Sequence, residues 1–191
     1  MGKIKLLCLG FLIFFFAGSS CNINKIYQRA LTKYNRCFST GKISNRSIAL
    51  NGYYSIPLLV SGEEYIKKIF FSDSGFVISG LNLEDVNGDF NNSGVFDINQ
   101  DTITTLEFTP SPTLNHKGIF ISKYLIIDSN TIQEIYGYSV NTNEEIKRPV
   151  GGIGRYTPMQ ETPDLRKFWL LQQKWFWCDE KEYECFWHNT D

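Results

Sequence analysis

The feature that most constrains the fold is a two-residue alternation of apolar and polar side chains, which begins near Leu50 and recurs in short segments. Such alternation is typical of half-buried β-strands. Turn residues at 72–75 and 129–130 predict two tight hairpins. Strands are predicted at residues 50–60, 65–71, 76–81, 102–108, 118–128, 131–140 and 154–158. Many short strands with close turns predict an all-β domain, either a meandering antiparallel barrel or a sandwich.

Composition and charge agree with a folded β domain and exclude one class of partner. Aromatic residues make up 15% of the 191-residue chain, and Ile, Asn, Thr, Ser and Gly are plentiful, which suits strands and turns. The formal net charge is −1, and it becomes −3 if residues 1–20, which carry two lysines and no acid, are removed. Without a strong positive excess, no nucleic-acid partner is expected.

The N-terminal segment has the three-part layout of a secretory signal peptide. Lys3 and Lys5 precede an unbroken apolar run, Leu6 to Ala17, and small residues 18–20 follow it. A helix of about twelve residues rises only ~18 Å, which is too short for a bilayer core of ~30 Å. We therefore expect residues 1–20 to direct export and then to be removed.

The residues around Cys21 suggest what happens after export. Ala17-Gly-Ser-Ser-Cys21 resembles the lipobox of bacterial lipoproteins, although Gly18 stands where an aliphatic residue is usual. The resemblance implies lipid attachment at Cys21 and, because Asn22 rather than Asp follows it, an outer-membrane address. The alternative is ordinary cleavage after Ser19, which would give a plain secreted or periplasmic protein.

The remainder of the chain divides into a tether and a domain. Residues 21–47 are polar, with apolar side chains at near-helical spacing at Ile26, Ala30 and Tyr34. We expect them to form a partly helical tether between the lipid and a β domain at residues 48–191.

Cysteine spacing near the C-terminus predicts a disulfide. Residues 168–178 and 185–188 are aromatic-rich and suggest a last hairpin, in which Cys178 would face Cys185 across a charged tip. A zinc site would need a fourth ligand and closer cysteines. Export places these thiols in a compartment that permits disulfides. The pairing of Cys37 stays undetermined.

One loop can be tested as a calcium site. Oxygen ligands stand at positions one, three, five and nine of a calcium-binding pattern, namely Asp89, Asn91, Ser93 and Asp97. Position twelve, however, is Gln100 where the pattern needs a bidentate Glu. We therefore expect a solvated, Asn- and Asp-rich loop and no metal.

Residues 50–140 carry a second resemblance. The segments 51–54, 69–77, 117–120 and 125–132 have the Gly-Tyr-Tyr, aromatic-hairpin and Asp-x-x-Thr-Ile punctuation of small lipocalin-like lipoproteins of Gram-negative bacteria. The resemblance implies a lipocalin-like barrel and an envelope address, and it supplies no catalytic residues.

No catalytic motif or phosphate-binding loop is present, so we expect a protein that binds rather than converts, without a cofactor. The first expectation is a lipid-anchored envelope lipoprotein, a binding or structural module whose partners are the membrane and an envelope protein. The alternatives are a lipocalin-like carrier of a small hydrophobic ligand and a plain secreted, disulfide-bonded β domain.

Overall fold

The computed structural model describes residues 23–34, 36–39, 47–50, 52–80, 92–110, 118–140, 145–147 and 151–188. Two α-helices lie in these ranges, α1 at residues 23–33 and α2 at Glu180–His188. The nine strands are β1 Gly52–Val60, β2 Glu63–Phe71, β3 Phe76–Gly80, β4 Asn92–Asn99, β5 Thr102–Phe108, β6 Ile119–Asp128, β7 Thr131–Val140, β8 Glu145–Lys147 and β9 Ile153–Pro158.

The strands form a closed antiparallel barrel. Strands β1 to β7 follow one another as a meander, and β9 then pairs with both β7 and β1. Eight strands therefore close the ring, while β8 adds a short flap beside β7. Closure confirms the all-β antiparallel barrel and excludes the sandwich, because a closed barrel leaves no pair of separate sheets.

Alternation along each strand sorts the apolar side chains into two clusters. On β2, Ile69 and Phe71 point into the barrel, whereas Phe70 points outward. The inner cluster fills the barrel near Tyr54 and Phe96. The outer cluster lies on the outer face of β2 to β6, where other parts of the chain cover it. Side chains on both sides of these strands are therefore buried, as Phe76, Val77 and Ile78 of β3 show.

Helix α1 packs on the outer cluster, so the predicted tether is part of the folded body over its described residues. Tyr27 is 1% exposed, and Ala30 and Leu31 are also buried. The Tyr27 hydroxyl donates a hydrogen bond to the Thr109 carbonyl oxygen at 2.9 Å. The apolar side chains of α1 form a stripe along one side of the helix. Burial of this stripe is favourable, so α1 packs on the barrel instead of forming a free tether.

The C-terminal hairpin prediction was wrong. Residues 165–177 form tight turns and two short 3-10 helices, Leu165–Lys167 and Lys174–Phe176, and α2 follows. The Asp179 carboxylate accepts a hydrogen bond from the Lys181 amide at 2.8 Å and caps α2. Acidic residues in its first turn and His188 in its last suit the helix dipole, which explains the helix.

Strand β4 was not predicted either, since Ser93 and Asp97 were assigned to a solvated, Asn- and Asp-rich loop. Its Asn, Ser and Gly residues have low strand propensity, but β3 and β5 pair with it on both sides. Cross-strand pairing and burial outweigh local propensity in this position.

Candidate functional site in the barrel interior

The two ends of the barrel differ in their connections and in their interior side chains. Turns at 72–75, 100–101 and 129–130 close one end of the barrel. At the other end, which we call the mouth, lie the strand ends that flank residues 81–91, 109–118 and 141–152. The interior near the short turns is apolar. Toward the mouth it carries an interior polar cluster, consisting of Lys67, Ser79, Thr105, Glu107, Tyr124 and Glu134.

Lys67 is the cationic centre of this cluster and is 8% exposed. Its Nζ donates hydrogen bonds to the Tyr124 hydroxyl at 2.8 Å and to Glu134 Oε1 at 3.3 Å. The other carboxylate oxygen of Glu134 accepts a hydrogen bond from the Gly151 amide at 2.9 Å. A buried charge is tolerated only when it is paired and hydrogen-bonded in this way. The group therefore ties together β2, β6, β7 and the approach to β9.

Glu107 is the second buried carboxylate and is 1% exposed. It accepts hydrogen bonds from the Thr105 hydroxyl at 2.7 Å and from the Ser79 hydroxyl. None of the ion pairs between described residues includes Glu107. A carboxylate offers about four acceptor positions, so Glu107 has capacity for a further donor.

Tyr124 is fully buried within this cluster, and both carboxylates act on its hydroxyl electrostatically. Burial raises its pKa well above the ordinary value, although the nearby Lys67 charge opposes the shift. Tyr124 therefore remains a neutral phenol that can donate as well as accept. Together the cluster presents an ammonium, two carboxylates, a phenol and two hydroxyls, which suits the binding of a hydroxyl, amide or ammonium group.

The structure places the predicted cysteines differently from the sequence expectation. Cys178 is bonded to Cys37, with their Cα atoms 5.1 Å apart, and Cys185 is exposed and free. The predicted Cys178–Cys185 bond is therefore wrong. Since α2 begins at Glu180, it carries Cys185 away from Cys178. Cys21 lies outside the described residues.

Backbone pairing explains why Cys37 and Cys178 meet. The Phe38 amide donates to the Phe176 carbonyl at 2.8 Å, and the Cys178 amide donates to the Phe38 carbonyl at 2.8 Å. Phe38 also packs edge-on against Trp177, with ring centroids 4.6 Å apart. The disulfide thus closes a bridge that the backbone and the aromatic rings already form.

The structure describes two of the four residues of the candidate calcium loop, because Asp89 and Asn91 lie outside the described residues. Ser93 and Asp97 both belong to strand β4 rather than to a loop. Four residues of strand span ~13 Å, which is too far for one cation to contact both. Asp97 instead forms an ion pair with Arg36 at 2.9 Å. The described residues contain no group of three metal-ligating side chains.

Sequence reasoning missed the interior polar cluster, although a signal was present. Glu134 stands two residues after Ile132, and Lys67 stands two residues before Ile69, both on the inward side of their strands. Charged residues at the apolar positions of a period-two pattern are unusual, because burial of a charge is costly. Such breaks in the alternation identify candidate site residues once the inward side is known.

Comparisons with known proteins add no family: no family model, curated protein or solved structure is significantly similar to this chain. Within the described residues, neither helix has the length and apolar character needed to cross a membrane.

Proposed function

We propose that this chain is a lipid-anchored module of the cell envelope, a binding protein whose barrel mouth receives a polar group. The interior polar cluster is the observation that supports binding, and the segment around Cys21 supports the anchor. No partner or ligand is assigned by name, and the proposal concerns the chemistry of recognition.

Export is supported by the disulfide between Cys37 and Cys178. Disulfides persist in oxidising compartments outside the cytoplasm, in agreement with the signal-like residues 1–20. The bond also joins a residue close to the N-terminal helix with one close to the C-terminal helix, so it links the two covering segments to each other.

Lipid attachment is supported by the cysteine pairing. Cys37 and Cys178 bond to each other, so neither of these thiols needs Cys21 as a partner. The Cys21 thiol can therefore take an acyl chain without loss of this bond.

A polar ligand fits the interior better than the small hydrophobic ligand of the alternative proposal. The apolar end of the barrel is filled by aromatic and branched side chains, and Tyr54, Ile69 and Ile103 have no exposed surface. An apolar ligand would have to displace these side chains. The polar groups toward the mouth are buried as well, but they include Glu107, which can accept a hydrogen bond from a further donor.

The anchor is tested by the intact mass of the mature protein from membranes and by mapping of its N-terminal residue. We expect Cys21 as the first residue, carrying two or three acyl chains. Cys21→Ser should abolish the acylated form, whereas the matched Cys185→Ser variant should retain it. A mature chain that begins at Ser20 with a free Cys21 would refute the anchor.

Binding is tested by native mass spectrometry of the protein released from its envelope in mild detergent. We expect a small-molecule adduct in the wild type that is lost in Glu107→Gln. Glu64→Gln, at an exposed position on β2, is the control and should keep the adduct. An adduct that survives Glu107→Gln, or no adduct in any variant, would count against binding in the mouth.

A further inference from the structure

The exposed face of α1 carries a row of cations next to the proposed lipid-attachment site. Lys25, Arg29 and Lys33 are exposed and follow one another at four-residue spacing, which places them on one side of the helix over ~12 Å. Gln28 and Thr32 fill the same side with neutral groups. We call these five residues the cationic face.

Charge is divided unevenly between the two parts of the chain. Residues 21–47 contain six Lys or Arg and no Asp or Glu, whereas residues 48–191 contain eleven Lys or Arg and twenty Asp or Glu. The near-neutral net charge of residues 21–191 is therefore the sum of a positive N-terminal segment, with net charge +6, and a negative body, with net charge −9. Such a division produces a field that orients the molecule toward a charged surface.

The barrel holds the cationic face in a fixed direction. Opposite that face, Tyr27, Ala30 and Leu31 are buried against the barrel, and the disulfide at Cys37 fixes the chain just beyond the helix. Neither Lys25 nor Arg29 takes part in an ion pair between described residues. Arg36, which lies beyond the cationic face, forms an ion pair with Asp97. Two cations of the row are thus available to an external anion.

The position of Cys21 identifies the surface that the face would meet. Cys21 precedes Ile23, the first described residue of α1, by two positions, so their Cα atoms are at most ~7 Å apart. Acyl chains on Cys21 would therefore hold α1 at the bilayer surface. A basic amphipathic helix at that depth binds anionic lipid head groups.

We propose that the cationic face of α1 docks on anionic phospholipid and seats the barrel against the membrane with its acidic body turned away. This inference rests on the proposed function for the position of the bilayer, but it concerns a contact that the acyl chains do not make. The acyl chains on Cys21 and the basic residues of α1 then both contribute to membrane binding, and together they attach the protein more firmly than either does alone.

The test separates the two contacts by removing the acyl chains. A chain of residues 21–191 with Cys21→Ser keeps every described residue, and its co-sedimentation is measured with vesicles of phosphatidylcholine alone or mixed with phosphatidylglycerol. We expect binding to the mixed vesicles only, with strong weakening as NaCl rises from about 0.05 M to about 0.5 M. Equal or absent binding to both vesicle types would overturn the proposal.

Charge variants show whether this face is responsible. Each cation near an anionic membrane is expected to contribute about fivefold to the binding affinity. The triple variant Lys25→Gln, Arg29→Gln and Lys33→Gln should therefore bind the mixed vesicles on the order of 100-fold more weakly. The control neutralises three exposed cations elsewhere, Arg155, Lys167 and Lys181, and should change binding only slightly. Equal effects of both triple variants would show that net charge alone is sensed and would refute the proposal. Circular dichroism checks that each variant is folded.

These outcomes are distinct from those of the proposed function. A mature protein without acyl chains would refute the lipid anchor but leave selective binding of the Cys21→Ser chain intact. An acylated protein whose Cys21→Ser form ignores phosphatidylglycerol would refute the docking face alone.

Discussion

Lys67 Nζ lies 3.3 Å from Glu134 Oε1 inside the barrel, and the two residues belong to strands β2 and β7, which are not neighbours in the ring. The pair therefore crosses the barrel interior and does not join two neighbouring strands. It makes the mouth end of the barrel polar and rigid, and it depends on closure of the whole ring. Its energetic role can be separated from that of nearby charges.

The first prediction concerns this pair. Lys67→Met leaves Glu134 buried without its cation, so the free energy of unfolding should fall by about 3–5 kcal/mol. Urea denaturation measures the change. Lys68→Met is the matched control, because Lys68 is on the outer face beside the Tyr53 ring, and it should cost less than about 1 kcal/mol.

The double variant Lys67→Met with Glu134→Leu provides a second check on the same pair. Replacing both charges removes the unpaired carboxylate, so most of the lost stability should return. If the double variant is as unstable as Lys67→Met, loss of packing rather than an unpaired charge is the cause.

The second prediction concerns the disulfide. Cys37 and Cys178 are separated by 141 residues, and removal of a native disulfide of a small domain costs about 2–5 kcal/mol. Cys178→Ser should lower the thermal midpoint and abolish its sensitivity to reductant, whereas Cys185→Ser should change neither. Non-reducing peptide mapping that joins Cys178 to Cys185 would contradict the assignment.

The third prediction uses two neighbouring residues of β4 that face opposite ways. A Cβ on Gly94 would collide with the Leu106 carbonyl oxygen of β5, so Gly94→Ala should destabilise the protein by about 2–3 kcal/mol. The Ser93 hydroxyl is buried and has no hydrogen-bond partner among the described residues. Ser93→Ala should therefore be neutral or stabilising by up to about 1 kcal/mol. Equal losses in chemical denaturation would refute this distinction.

The fourth prediction concerns alkaline pH. Burial raises the pKa of Tyr54 to about 12 from its ordinary value of 10.0, and burial also raises the pKa of Tyr27 and Tyr124. Because the unfolded state releases these protons first, their contribution is fully present below pH 10 and is lost as pH rises toward 12.

Ultraviolet absorbance of the phenolates measures this behaviour alongside circular dichroism. We expect exposed tyrosines to ionise first and the buried three to ionise together with unfolding. Tyr54→Phe removes one late-titrating group, and it also removes the hydrogen bond from the Tyr54 hydroxyl to the Ser129 carbonyl at 2.7 Å. Ionisation of every tyrosine near pH 10 in a still-folded protein would contradict the prediction.

Sequence patterns were sufficient to predict the features that depend on neighbouring residues. The tight turns at 72–75 and 129–130 and the alternation of β6 and β7 predict their hairpins, because turn chemistry and a two-residue period act over a few positions. From these hairpins the all-β class and the antiparallel meander follow. The predicted export signal and the proposed lipid site are likewise local motifs.

Only the tertiary structure decided the features that join distant segments. Insertion of β9 between β7 and β1, packing of α1 on the barrel and the bond from Cys37 to Cys178 all depend on contacts across the chain. The interior polar cluster belongs to this class, since Lys67, Glu107 and Glu134 meet only after the ring closes. Side-chain periodicity states which residues share a face, but closure and burial decide which face is inside.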